Sequence, residues 1–354
     1  MIKTIAATLL GAIAIAVAAA APAKAETVVR VGWCARTVSS AAAPFAIANK
    51  MGWYGNFKVE LVPLPGSTDC VKSVATRDLP YSQPSIEPVA IIRPQGVKMK
   101  TFYTAYQGNI YGIAVPADSP IKTFADLKGK RIGVTSMASA GVIIARALAA
   151  MNGMDPDRDI SIVVAGEAAQ TAALLRSGQV DALSQFDTQY ALTENAGAKL
   201  RMLDTAAIDR FPSNGVVALE ETLANRRAEA VLIGQGYAKG TIFAINNPEA
   251  AIRILWEMFP QTKATGKTEA DALRDDIKTL EARAAHWKLE GGGVTQWGEN
   301  SPENYAAYLE FLVKNNIVKE KVDAKDLITN DLIADINKFD AAEIVAMAKN
   351  YKMK

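Results

Sequence analysis

From Glu26 onward, short β-branched runs alternate with stretches of helical periodicity. Val28-Val29-Arg30-Val31-Gly32 reads as a strand closed by glycine, and residues 44–51 read as a helix stopped at Gly52. Residues 58–62 alternate polar and apolar before Pro63, Pro65 and Gly66, and residues 70–75 open a second helix. This order predicts a parallel sheet with right-handed crossovers. The rhythm restarts with a strand over 109–115, stopped by Pro116. Strands at 130–134, 160–164, 180–183 and 199–203 follow, with helices at 139–151 and 168–177 between them. Beyond 216–219 the pattern is mostly helical, over 228–246, 248–258, 269–287, 302–315 and 341–348. The expected fold class is α/β and bilobal: residues 26–113 and 216–354 form lobe 1, and 114–215 form an inserted lobe 2. Two short crossings, near 112–116 and 213–218, leave a cleft and suit closure around a ligand.

The first 25 residues change the charge balance. Lys3 precedes an apolar stretch from Ile5 to Ala21, and Ala23-Lys24-Ala25 supplies a small-x-small end. That order reads as a secretory signal peptide cleaved before Glu26, so the protein is expected to be exported. The other reading is a membrane anchor, but roughly 17 apolar residues fall short of the ~20 that span a bilayer. The chain has 354 residues, with 39 Lys and Arg against 37 Asp and Glu. Losing Lys3 and Lys24 leaves 37 against 37. Nucleic acid is not an expected partner, because it needs a concentrated basic field. One His and two Cys exclude most transition-metal sites, and no cofactor is expected. In an oxidising compartment Cys34 and Cys70 are expected to pair; two buried thiols are the alternative.

Common catalytic motifs fail. Lys128-Gly129-Lys130 is followed by Arg131 rather than Ser or Thr, and Gly234-x-Gly236 does not continue into a dinucleotide fingerprint. His286 lies among helix formers with no nucleophile nearby in sequence, and reads as a packed or surface side chain. Asp275-Asp276 reads as solvated.

Polar loops at strand ends are the stronger signals, since open α/β sheets bind ligands beyond the carboxyl ends of their strands. Ser136 and Ser139 lie before a helix and read as anion or polar anchors, or as helix caps alone. Trp33 and Arg36 follow the first strand; the guanidinium suits a carboxylate or sulfonate unless it is solvated. Tyr81, Ser82 and Gln83 sit in a proline-bounded loop, and Gln185, Phe186 and Asp187 follow the strand ending at Leu183. Tyr106 and Asn214 lie near the crossings. In this reading Trp33, Tyr81 and Phe186 are aromatic walls, while Gln83, Gln185 and Asn214 orient the ligand. In an alternative reading Asp187 instead selects an amine or ring N–H, which favours a zwitterion or a pyrimidine.

The run Val115-Pro116-Ala117-Asp118-Ser119-Pro120, continuing through Phe124-Ala125-Asp126-Leu127-Lys128-Gly129-Lys130-Arg131-Ile132-Gly133-Val134, resembles the periplasmic substrate-binding proteins of ABC importers. Residues 172–182, from Ala172-Ala173-Leu174-Leu175 to Val180-Asp181-Ala182, are similar to that family's second-lobe helix–strand signature, and Asn247-Pro248-Glu249 to a point in its C-terminal helices. The nearest branch is the alkanesulfonate/taurine/nitrate type, which includes thiamine-precursor binders. The resemblance implies a bilobal type II binding fold, a small-molecule ligand, an inner-membrane ABC permease as partner, and a monomer. Arg77-Asp78-Leu79-Pro80-Tyr81-Ser82-Gln83 departs from the family's usual first-lobe loop. The pyrimidine-synthase enzymes of the same outline would imply a cysteine-rich motif and an active-site histidine, neither of which is present.

The leading expectation is a non-enzymatic, exported solute-binding protein that closes on an aromatic or heteroaromatic carboxylate or sulfonate. A short aliphatic sulfonate such as taurine, or a thiamine-precursor pyrimidine, is the alternative ligand. An exported cleft hydrolase and a receptor-docking sensor subunit are the alternatives of other classes.

Overall fold

The computed structural model describes residues 27–353, so the expected signal peptide and its cleavage point lie outside the described residues. Among the described residues ten strands are formed: β1 Thr27–Trp33, β2 Phe57–Pro63, β3 Tyr81–Ser82, β4 Met99–Thr104, β5 Ala114–Pro116, β6 Lys130–Val134, β7 Ile160–Val164, β8 Ala182–Leu183, β9 Leu200–Met202 and β10 Gly215–Leu219. They make two five-stranded sheets, ordered β2-β1-β3-β10-β4 and β7-β6-β8-β5-β9.

Alternation in the sequence sets the faces of these strands. In β2, Phe57, Val59 and Leu61 are buried while Lys58 and Glu60 are exposed. In β1, Val29 and Val31 point into the core and Arg30 points out, beside Glu60 across the parallel ladder. The first sheet is covered by the helix Ala43–Lys50, which packs on the long helix Arg227–Asn246. A Cβ at Gly240 would stand 2.2 Å from the Pro44 carbonyl oxygen, so glycine is what lets these two helices approach.

Neither sheet is wholly parallel, contrary to the expectation from strand–helix alternation. β10 runs antiparallel to β3 and β4, and β5 runs antiparallel to β8 and β9. Both exceptions adjoin the crossings, where the chain enters one sheet directly from the other without a crossover helix. The strand expected over 109–115 begins only at Ala114. The Asn109 side chain bonds both the N–H and the carbonyl of Tyr111, turning the chain there. β4 was not anticipated. Phe102 and Tyr103 are both buried, so the strand shows no clean period of two, and the bridge from Thr101 to Ile328 covers its outer edge.

Cys34 and Cys70 are joined by a disulfide with a Cα–Cα distance of 5.8 Å. It ties the loop after β1 to the middle of the helix Ser67–Ala75. Among the described residues no helix is long and apolar enough to cross a membrane.

Candidate functional site

The two sheets face each other with the carboxyl ends of their parallel strands. Backbone bonds bind the two crossing segments to one another: Ala105 and Tyr106 donate to the Asn214 carbonyl, Ser213 to Tyr106, Asn109 to Asp209, and Leu203 to Ile113. The Gln107 N–H also donates to the His286 carbonyl at 2.9 Å, which anchors the outgoing crossing to the C-terminal helices.

Where the sheets meet, a few short contacts hold them together. Ser136, after β6, donates to the Pro65 carbonyl, after β2, at 2.7 Å. The Thr68 N–H donates to the Ala138 carbonyl at 3.1 Å, and a Cβ at Gly66 would stand 2.4 Å from that same oxygen. Glu167, after β7, accepts from the Arg36 N–H and the Thr37 hydroxyl. On the opposite side the helix Asp187–Asn195 packs on the helix Glu269–Ala284, where Lys278 pairs with Glu194 and Asn195 donates to the Asp275 carbonyl.

Between these contacts lies a gap lined by Trp33, Tyr106, Tyr111 and Phe186, with Gln83, Thr188, Asn214 and Arg283 as its polar groups. Its free volume is about 20 Å³, room for little more than one water molecule. Any organic ligand therefore requires the sheets to part first. Tyr111 and Phe186 meet edge to face, with centroids 5.9 Å apart. Asn214 donates to the Gln83 backbone carbonyl at 2.8 Å, and Gln83 donates its amide to the Tyr237 hydroxyl at 3.3 Å. The Gln83 Oε1 and Thr188 Oγ1 atoms are buried with no partner, so two hydrogen-bonding positions at the gap are unused.

The charge at the gap comes from Arg283, whose side chain is 3% exposed. Its Nε and Nη2 donate to the two oxygens of Asp187 at 2.7 and 2.5 Å, a bidentate pair bridging the two sheets' domains. Its guanidinium carbon lies 4.0 Å from the Tyr106 ring centroid. Burial is the largest influence on Arg283 and opposes its charge, the Asp187 carboxylate is foremost among the groups that pull the other way, and the net direction is above its usual range. His286 Nε2 stands 4.0 Å from the Asp187 carboxylate on its far side. Burial pushes the His286 imidazole below its ordinary value of 6.5, with Asp187 pulling the other way.

Of the residues singled out in the sequence, Trp33, Gln83, Tyr106, Phe186 and Asn214 come together around the gap. Asp187 stands behind it, engaged with Arg283. The others have internal or outward positions. Arg36 is exposed and outside the lining, meeting the opposite sheet through its backbone N–H. The Tyr81 ring is buried within the first sheet's core beside Phe102, and the Ser82 hydroxyl donates to the Cys70 carbonyl. Ser136 spends its hydroxyl on Pro65, Ser139 caps the helix Ala140–Met151, and Gln185 donates to the Gly166 carbonyl and Thr171. Asp275 and Asp276 are only half-exposed rather than solvated, and Asp276 accepts from the Trp256 indole at 2.7 Å. Sequence reasoning passed over Arg283, Tyr111 and Thr188. Ala272, Thr279, Leu280 and Arg283 are the buried positions of the helix Glu269–Ala284, at spacings of seven, one and three, so Arg283 sits on its core-facing stripe. That spacing was the available signal.

The arrangement is similar to known proteins. Residues 39–251, more than half of the chain, match the family described as NMT1/THI5 like. The riboflavin-binding protein RibY of Chloroflexus aurantiacus is 20% identical over 295 residues, covering 82% of each chain. The alkanesulfonate-binding protein SsuA from Xanthomonas axonopodis pv. citri, solved bound to MOPS, superposes with a TM-score of 0.63 at 16% identity, over 86% of this chain and 98% of that one. The periplasmic nitrate-binding protein NrtA from Synechocystis PCC 6803 gives 0.61 at 16% identity, over 92% and 99%. At these identities the solved structures establish the architecture, which is the bilobal fold of the periplasmic binding proteins. The match over residues 39–251 goes further: this chain belongs to the NMT1/THI5-like family.

Proposed function

We propose that this is an exported solute-binding protein. It captures a small organic anion between its lobes, residues 26–113 with 216–354 on one side and 114–215 on the other, and delivers it as a monomer to an ABC permease. The observation that carries the reading is the interlobe gap, whose lining brings together four aromatic rings and one buried guanidinium. Aromatic walls favour a planar ring, and a guanidinium with N–H groups left over from Asp187 favours a carboxylate or sulfonate. The ligand class we favour is therefore an aromatic or heteroaromatic acid. The two unused positions at Gln83 and Thr188 would take polar substituents on its ring. The relatives named for alkanesulfonate, nitrate and riboflavin support capture of a small molecule or ion, and the choice of an aromatic acid rests on the gap's own lining.

Two features of the gap support binding without bond cleavage. Cys34 is held in a disulfide, and Asp187 is engaged by Arg283 rather than paired with a second carboxylate.

A thermal-shift panel of aromatic sulfonates, aromatic carboxylates, taurine, pyrimidines and riboflavin tests the reading. A ligand raises the melting temperature with the logarithm of its concentration. Aromatic acids are expected to raise it most, and Arg283→Gln to abolish their effect. A flat response to every class would contradict the proposal.

A further inference from the structure

Arg283, Asp187 and His286 form a line across the lobe boundary, and the line has a charge problem. The Arg283–Asp187 pair is closed on itself: one cation and one anion, both nearly excluded from water. An anionic ligand group reaching Arg283 through the gap adds a second negative charge to one guanidinium. In a buried site an uncompensated charge is strongly unfavourable.

The surroundings offer few ways to restore balance. On the helix Glu269–Ala284, Lys278 borders the region but is engaged with Glu194 of the facing helix. That facing helix also brings Asp187 and Tyr190, an anion and a neutral phenol. The returning crossing brings Asp209, which accepts from Thr205 at 2.8 Å. The outgoing crossing contributes Asn109 and Tyr111, both uncharged, and packs Gly108 against the imidazole. His286, the one histidine of the chain, stands against the Asp187 oxygen that Arg283 Nε also holds. It is half-exposed toward a solvent-connected hollow of about 470 Å³ on the far side of Asp187 from the gap, so a proton can reach it without crossing the ligand.

Resting on the anionic ligand class favoured above, we propose that binding of the anion is coupled to uptake of one proton from solvent by His286. The imidazolium then becomes a second cationic partner for Asp187 while Arg283 turns part of its donor set to the ligand. The new bond is N–H on the imidazole, the proton comes from the buffer, and the buried cluster returns to its original net charge. Affinity for an anion accordingly rises as pH falls, by up to tenfold per unit, from the pKa of His286 in the complex down to its lower value in the free protein. An uncharged ligand in the same gap shows no such dependence.

Titration calorimetry with benzenesulfonate and benzoate, run near neutral pH in bis-Tris and in Tris, reads this directly, because the two cationic buffers differ in ionisation enthalpy. Benzamide serves as the uncharged control. The expected result is net uptake of a substantial fraction of a proton with either anion and none with benzamide. His286→Gln is expected to bind the anion with no uptake and a flat pH profile. An anion that binds the native protein without proton uptake, or uptake that persists in His286→Gln, overturns the proposal and leaves the binding site standing. Failure of both anions to bind, while benzamide or another neutral ring does, overturns the anionic ligand class and the proton coupling together.

Discussion

Arg283 and Asp187 show how much can depend on two side chains 96 residues apart in sequence. Removing one member of a buried pair leaves the other uncompensated, which typically costs about 3–5 kcal/mol. Arg283→Gln is therefore expected to lower stability in urea unfolding by roughly that amount, and Arg283→Gln with Asp187→Asn by much less. A double-variant loss equal to the sum of the Arg283→Gln and Asp187→Asn losses would show that the pair is not coupled. Glu87 makes a separate prediction. It is fully buried in the first sheet's domain and accepts a hydrogen bond from the Tyr308 hydroxyl. Burial raises its pKa above the ordinary 4.5, with the bond from Tyr308 opposing. The folded state thus holds a proton that the unfolded chain releases, so this group's contribution to stability falls as pH rises from the unfolded value through the folded one. Glu87→Gln should flatten that part of the stability profile; an unchanged slope would assign it to other groups. Residues such as these were the least legible in the sequence. Arg283 lies in a strongly charged helix, and its burial depends on a facing helix supplied by the other lobe. Arg36, by contrast, looked poised beside Trp33 because of its strand-end position, yet a turn held by the Trp33 indole donating to the Thr37 carbonyl leaves Arg36 on the exterior.

At the level of elements the sequence was more readable. β1, β2, β6 and β7 follow their β-branched or alternating runs, and the helix Pro248–Met258 begins and ends where Asn247-Pro248 and the later apolar positions predict. Strand-end loops after β1, β3 and β8 each delivered a residue to the gap, because parallel strands present their carboxyl ends on one edge of a sheet. The mixed direction of the two sheets was not readable, since it follows from how the crossings return rather than from any local period. The Cys34–Cys70 bridge fixes one of these loops, the one carrying Trp33 and Ala35 into the gap. By chain entropy a 36-residue separation is worth about 3–4 kcal/mol. Reduction, or Cys34→Ala with Cys70→Ala, is expected to lower unfolding stability by that order and to weaken ligand binding as well. Loss of stability with affinity unchanged would make the bridge purely structural.

The proposed function requires the two halves of the molecule to separate and meet again. Backbone packing limits how closely they meet, at Gly66 against Ala138. Gly66→Ala would press a methyl group into that carbonyl and is expected to hold the lobes apart. The predicted signature is a larger radius of gyration in the presence of ligand, with affinity reduced about tenfold and each lobe's folding unaffected. A variant that closes and binds like the native protein would show that this contact does not limit closure. Strand–helix alternation made the two-lobed plan legible, but closure itself was not, because it depends on contacts between Ser136 and Pro65, Thr37 and Glu167, and Lys278 and Glu194 that are remote in sequence. The central claim is that a small molecule is gripped, chemically unchanged, beside Arg283. Native mass spectrometry of the protein with a mixture of aromatic acids tests it most directly. One non-covalent adduct per chain is predicted, released intact on denaturation and lost in both Arg283→Gln and Tyr106→Ala. An adduct retained by both variants, or a ligand recovered with altered mass, would contradict it.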